Sequence, residues 1–163
     1  MLPGLPPLVH LETVTLAGDA SAVTLPASGT IAGHALFPAG SKHVVCIWQT
    51  RSTTATTSDQ GTNITVNGDT GSNYALQRLD GAGSSAAAFK EQGTTSWTNL
   101  AAHTGDSQDA GFFSPTSLLI PHAFGTDNFT GALTVNGIGE QRTRFGMGQW
   151  EDTAAITSVT ITP

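Results

Sequence analysis

The chain has 163 residues, of which only 11% are charged, and its formal net charge at pH 7 is −6. This length predicts one domain that can bury a substantial core. Six Lys and Arg residues in all are too few for the several phosphate contacts of a nucleic-acid-binding surface. No stretch approaches the roughly 18 consecutive apolar residues of a membrane-spanning helix. We therefore expect neither nucleic-acid nor membrane partners.

The N-terminal segment is rich in proline, with three prolines among residues 1–7. Proline lacks a backbone donor and favours extended chain, so we predict an arm over residues 1–9 and a single domain over residues 10–163. An ordered Pro-rich terminus is usually tied down, either on its own domain or on a neighbouring subunit. The candidate contacts with a neighbouring subunit are Leu2, Pro3, Leu5 and Pro6.

Short strand-like segments with turn signals between them follow the arm. They span residues 10–16, 22–25, 42–51, 63–66, 74–79, 84–90, 96–101, 116–124, 131–135, 141–145 and 155–162. Two of them, 84–90 and 96–101, also fit a short helix, and the solid apolar middle of 42–51 predicts a central strand. These eleven segments, two of them with a helical alternative, give about nine or ten strands at a spacing of roughly 8–12 residues, which predict an all-β fold, an antiparallel sandwich or barrel.

A loop rich in Asn, Asp and Gly separates the strand-like segments 63–66 and 74–79. Its signature residues are Asn67, Gly68, Asp69, Gly71, Asn73 and Tyr74. Asn-Gly supplies the positive φ angles of a tight turn, and an Asp side chain can accept bonds from nearby backbone amides. Calcium also prefers such oxygen ligands, but the EF-hand pattern is absent, because position five is Gly71 and no Glu follows at position twelve. We favour a turn and expect no metal here.

Motifs of catalysis are absent: the chain has no HExxH, CxxC, GxSxG, SxxK or P-loop. We therefore predict that the protein is not an enzyme and that it needs no cofactor. Among the three tryptophans, Trp48 lies in an apolar run and is predicted to be core. Trp97 lies among polar residues and is the better candidate for stacking on a glycan, but packing in the interior is the favoured interpretation.

Two segments resemble a known family. The pattern NGD-x-G-x-NY-x-x-x-x-L matches Asn67 to Leu79, and G-x-W…AI-x-S-[IV]-x-[IL] matches Gly148 to Ile161. With these motifs the chain, over roughly Val44 to Thr162, resembles small structural proteins of tailed bacteriophages. The resemblance implies a jelly-roll-like β-sandwich on the tail or the head of a virion, assembled in the host cytoplasm, with no catalytic residues.

The resemblance also implies partners. We expect a homo-oligomer, a trimer by preference, in contact with other virion proteins, as a tail or tail-tip component. A capsid decoration protein is the first alternative and a carbohydrate-binding module for a host surface glycan is the second. Members of the family often continue with a closing strand that this chain lacks. Either the N-terminal strands or a neighbouring subunit would then cover the last sheet edge.

Overall fold

The computed structural model describes residues 12–15, 20–26, 43–53, 60–106, 113–138 and 142–163. The described residues form ten strands and no helix, so this part of the chain contains no helix that could cross a membrane. The strands are β1 Val23–Leu25, β2 His43–Thr50, β3 Gln60–Val66, β4 Tyr74–Ala82, β5 Ser85–Thr94, β6 Trp97–His103, β7 Ser114–Pro121, β8 Thr130–Ile138, β9 Arg142–Trp150 and β10 Val159–Thr162. The prediction of an all-β chain is confirmed.

The strands form two antiparallel sheets. One has four strands in the order β1-β10-β3-β6, and the other has six strands in the order β2-β7-β8-β9-β4-β5. Two antiparallel sheets fit the predicted sandwich, whereas the finer jelly-roll assignment stays a prediction. The proposed arm over 1–9, with Leu2, Pro3, Leu5 and Pro6, lies outside the described residues.

Both segments with helix-like alternatives are strands, β5 and β6. The predicted strand over 155–162 is shorter than expected, because only Val159–Thr162 pairs and residues 151–158 are irregular. Of the predicted first strand, residues 12–15 are described and have no strand conformation. β1 pairs with β10 in register Val23 to Ile161, so an N-terminal strand of the same chain covers that edge.

The prediction of a central strand over 42–51 is wrong. β2 pairs with β7 along its whole length and stands at the end of the six-stranded order of described strands. Its apolar run led to the error, since a strand that is apolar on both faces is typical of a sheet buried on both sides. In β2, Val44 and Cys46 are buried, while Val45 and Ile47 are exposed.

The core lies between the two sheets and follows the period of two of each strand. β7 shows this most clearly, since buried and exposed residues alternate along all eight positions. The largest fully buried side chains include Trp97, Trp150, Tyr74, Ile64, Leu100, Leu118, Ile120 and Ile156. β6 contributes two of them, Trp97 and Leu100, to the space over β8 and β9.

Candidate functional site

The signature loop makes a tight turn at Asn67-Gly68. Both residues have positive φ, 55° and 65°, and the Asp69 amide donates to the Val66 carbonyl at 2.9 Å. Two successive left-handed residues are the requirement of a type I′ turn. The turn is confirmed, but it does not close a hairpin, because β3 belongs to the four-stranded sheet and β4 to the six-stranded sheet. The loop is a corner between the sheets.

The Asp69 carboxylate holds this corner together through three donors. Its Oδ1 accepts from the Gly71 amide at 2.8 Å, and its Oδ2 accepts from Asn73 Nδ2 at 3.0 Å and from Trp150 Nε1 at 2.7 Å. The bonds to Asn73, Trp150 and Gly71 hold the pKa of Asp69 below its ordinary value. The carboxylate therefore serves as an acceptor for protein donors, which gives it a structural part in the corner.

The loop is also bound to the segment that precedes β10. Asn67 Nδ2 donates to the Ala155 carbonyl at 3.0 Å, and Asn67 Oδ1 accepts from the Thr157 amide at 2.6 Å. The Glu151 amide donates to the Asn73 carbonyl at 2.7 Å. The two sequence segments that carry the family resemblance thus bind each other, although they are about 80 residues apart in the chain.

Tyr74 anchors the end of the loop in the core. Its hydroxyl accepts from the Val66 amide at 3.1 Å and lies 3.0 Å from the Asp69 carbonyl, to which it can donate. Burial is the main reason why the pKa of Tyr74 rises to about 12. Its ring packs edge to face on Trp97, with centroids 5.6 Å apart. This aromatic pair connects the corner with β6.

The candidate glycan contact at Trp97 is wrong, and the favoured interpretation, a Trp97 that packs in the interior, is confirmed. Trp97 is 0% exposed, and its Nε1 donates to the Gln149 carbonyl at 3.0 Å. A Cβ at Gly148 would lie 2.7–2.8 Å from the indole ring, so the ring occupies the space that this glycine leaves. A host surface glycan as partner therefore has no support from Trp97. One feature of the sequence points to this burial: Gly146 and Gly148 lie two residues apart on one face of a strand, where they leave room for large side chains.

Side chains of the six-stranded sheet bind the backbone of β6 across the core. Four successive carbonyls, those of residues 99–102, accept hydrogen bonds from them. Arg144 Nη1 donates to the carbonyls of residues 99 and 101 at 3.0 and 2.9 Å, Thr134 Oγ1 to residue 100 at 3.1 Å, and Asn136 Nδ2 to residue 102 at 2.9 Å. Buried polar groups need such partners, so these three side chains satisfy the carbonyls and connect β6 to the six-stranded sheet.

Arg144 is held in place by a buried ion pair that sequence reasoning missed. Its Nε and Nη2 donate to the two carboxylate oxygens of Asp80 at 2.7 and 2.8 Å, which is the bidentate geometry that favours arginine. Arg78 and Arg142 lie 3.6 and 3.8 Å from the same carboxylate. Asp80 and Arg144 are opposite residues of β4 and β9, a relation that is visible only once the strands are paired.

The outer face of the six-stranded sheet, the side away from the core, is apolar. Two adjacent cross-strand rows cross all six strands at its centre. The first row is Ile47, Ser117, Val135, Phe145, Leu79 and Ala88, and the second is Val45, Leu119, Leu133, Met147, Gln77 and Lys90. Ile47 is 76% exposed and Met147 56%. We call these twelve residues the central rows.

The same face is nearly free of charge. Strand alternation places Lys90 on the outer face, whereas Arg78, Asp80 and Arg144 point inward. Among the outer-face positions of the described strands, Lys90 is the one residue with a formal charge. Large contiguous apolar surfaces mark interaction sites in proteins. This face is the candidate functional surface of the described chain.

A shallow depression of about 460 Å³ lies at one end of this face. Phe129 and Met147 flank it, and Gln77, Gln92 and Gln149 supply amides. Within the described residues, no group of three or more His, Cys, Asp or Glu side chains could hold a metal ion. The single cysteine, Cys46, is buried, and burial raises the pKa of its thiol to about 11. A thiol with that pKa is a poor nucleophile at neutral pH.

Comparison with models of known protein families finds no match, and neither does comparison with curated proteins or with solved structures. Any statement about function therefore depends on the residues and surfaces described above.

Proposed function

We propose that this chain is a structural protein of a tailed-bacteriophage virion, a component of the tail or tail tip that works as a homo-oligomer. The observation that carries the assembly role is the outer face of the six-stranded sheet. Its central rows expose seven large apolar side chains: Val45, Ile47, Leu79, Leu119, Val135, Phe145 and Met147. A protein that works alone rarely leaves such a continuous face in water.

The sequence pattern of β2 supports this role. Val44 and Cys46 face the core, and Val45 and Ile47 face outward, so the strand is apolar on both sides. Such a pattern is typical of a strand that is covered on both faces. Within the described part of the chain, only one face of β2 is covered. An assembly would cover the other.

The phage part of the proposal depends on the two motifs. Asn67, Asp69 and Asn73 of the first motif contact residues 150–158 of the second. The motifs thus form one structural unit, the corner between the sheets. Such a unit is what a family of related sandwiches would share, because it fixes the relation between the two sheets. The proposed role is structural and not catalytic.

Capsid decoration is the alternative within the same class. The apolar face would serve a protein on the head as well as one on the tail. The two differ in where the chain lies on the particle, which a cryo-EM map of the virion separates directly.

Mass spectrometry of purified virions tests the proposal. We expect the chain among the virion proteins at a copy number typical of a symmetric component, several copies per particle. Absence of the chain from virions of a phage that encodes it would contradict the proposal. A matched control is a non-virion protein from the same infected cells, which the purification should remove.

A further inference from the structure

We infer that the outer face of the six-stranded sheet packs against the same face of a second copy of this chain, sheet on sheet. The inference deepens the proposed function and rests on it for its biological setting. The contacts would centre on Val135 and Phe145, which are direct cross-strand neighbours on β8 and β9. These strands occupy the middle of the six-stranded order.

The size of the face fits this occupant. Six strands about 4.8 Å apart, with four outward residues each at intervals of about 6.7 Å, give a face of about 800 Å² in projection. A stable protein–protein interface buries about 800 Å² on each partner. The face is therefore large enough for one complete interface, and the central rows would form its apolar core.

The charge of the face also favours a second copy. Each chain carries a formal net charge of −6, so two copies repel one another in most orientations. On the outer face the central rows carry one formal charge, at Lys90 on the edge strand β5. Two copies that meet through this face bring no carboxylates together. A strongly charged partner would find only Lys90 to pair with on the outer face of the described strands.

The geometry of the face suits self-packing. The central rows run straight across the strands in unbroken register from β2 to β5. Two sheets pack face to face about 10 Å apart, with strands within about 30° of one another. A two-fold axis makes such an interface self-complementary. This interface joins two copies into a dimer, and any larger oligomer that contains it is built from such dimers.

Light scattering after size-exclusion chromatography of the full chain, at about 10–100 μM, tests the inference. We expect the wild-type chain, whose protomer mass is 16.7 kDa, to have twice that mass. The variant V135K/F145E keeps the net charge and pairs opposite charges across the strands, which the isolated sheet tolerates. In the interface both charges lose water, so we expect this variant to be a monomer with an unchanged circular dichroism spectrum.

The matched control is T24K/T160E. Thr24 and Thr160 are direct cross-strand neighbours, but they lie on the four-stranded sheet. We expect this variant to dimerise like the wild type. A monomeric wild type, an oligomer with an odd number of copies, or a dimer that survives V135K/F145E would overturn the inference. So would a monomer that binds a saccharide in the depression beside Phe129.

A second measurement needs no variant and covers the case in which V135K/F145E fails to fold. Met147 is in the central rows and is 56% exposed in the single chain. We expect its oxidation by dilute peroxide to be slow in the concentrated protein and several-fold faster after dilution below the dissociation constant. A rate that is fast at every concentration would overturn the inference.

The two proposals can fail separately. If the chain is present in virions but V135K/F145E still dimerises, the outer face is not the dimer interface, and the proposed structural role stands. If the chain dimerises through this face but is absent from virions, the virion role is wrong and the interface stands.

Discussion

The carboxylate of Asp69 connects three parts of the corner between the sheets: the loop itself, the start of β4 and the end of β9. Its donors are Gly71, Asn73 and Trp150. Because these bonds lower the pKa of Asp69 in the folded chain, ionised Asp69 stabilises the fold. This contribution is complete above the ordinary pKa of 3.8 and is lost as the pH falls through the lower, folded value.

The variant D69N should therefore be less stable than the wild type at pH 7, by about 1–2 kcal/mol, because an amide accepts fewer and weaker bonds than a carboxylate. The difference should shrink as the pH falls to about 3 and below. Urea unfolding of both proteins at the two pH values measures it. D127N, at an exposed aspartate, is the control and should change little. An unchanged gap at low pH would refute this role.

Gly148 leaves the space that the Trp97 ring occupies, because glycine has no Cβ. The Trp97 ring occupies the space where a Cβ would stand, 2.7–2.8 Å away. G148A should cost about 1–3 kcal/mol of unfolding free energy, because overpacking forces the ring or the strand to move. G137A is the matched control, since a Cβ at Gly137 meets nothing within 4 Å. Thermal unfolding compares the two, and equal losses would contradict the explanation.

At the scale of strands, the alternation of apolar and polar residues in the sequence is enough to predict most of the elements. β7, β8 and β9 have clear alternation in burial, and their predicted positions are correct to within a few residues. The order of the strands could not be predicted. β3 pairs with β6 and β10, and such pairings depend on contacts between residues far apart in the chain.

The side-chain bonds to the backbone of β6 are the clearest case of what the sequence alone could not reveal. Arg144 and Asp80 are 64 residues apart, and nothing in their local sequence joins them. Only the register of β4 with β9 brings them together. In the same way, the burial of Trp97 depends on Gly148 of a distant strand. The polar residues around Trp97 make it a candidate for an exposed ring, and that candidate is wrong, whereas the favoured packing interpretation is confirmed.

The variant R144M should lose about 3–5 kcal/mol of stability, because Asp80 is left as a buried charge without its main partner. The carbonyls of residues 99 and 101 also lose their donor. R144M/D80N should regain part of this loss, since the buried charge is then removed. R142M is the control, because Arg142 is 33% exposed and 3.8 Å from Asp80, and it should lose less. Chemical unfolding measures all three.

If R144M is within about 1 kcal/mol of the wild type, the ion pair does not stabilise the attachment of β6. If the double variant is less stable than R144M, the buried charge of Asp80 is not the source of the loss. Hydrogen exchange adds a local measurement. In R144M, amides of β6 should exchange faster than those of β7, since β6 is the strand whose carbonyls Arg144 binds.

At the scale of the whole molecule, the sequence of β2 already indicates that the outer face of the six-stranded sheet is apolar. The apolar run of β2 predicts a strand covered on both faces, yet β2 lies at the end of its sheet among the described strands, and its outward residues Val45 and Ile47 are exposed. The prediction of position is wrong, but the pattern that caused it is real. A strand that is apolar on both faces, with only the inner face covered by the described residues, supports the proposed assembly, which would cover the outer face.

Stability should therefore depend on protein concentration. If the folded chain dimerises through the outer face and the unfolded chain does not, mass action stabilises the folded form. Each tenfold rise in concentration should add about 1.4 kcal/mol per mole of dimer to the free energy of unfolding.

Between about 1 and 100 μM, the urea midpoint of the wild type should rise, while that of V135K/F145E should stay constant because its outer face does not pair. T24K/T160E should behave like the wild type. A wild-type midpoint that does not move would show that folding and association are independent, and that the apolar face is stable in water on its own.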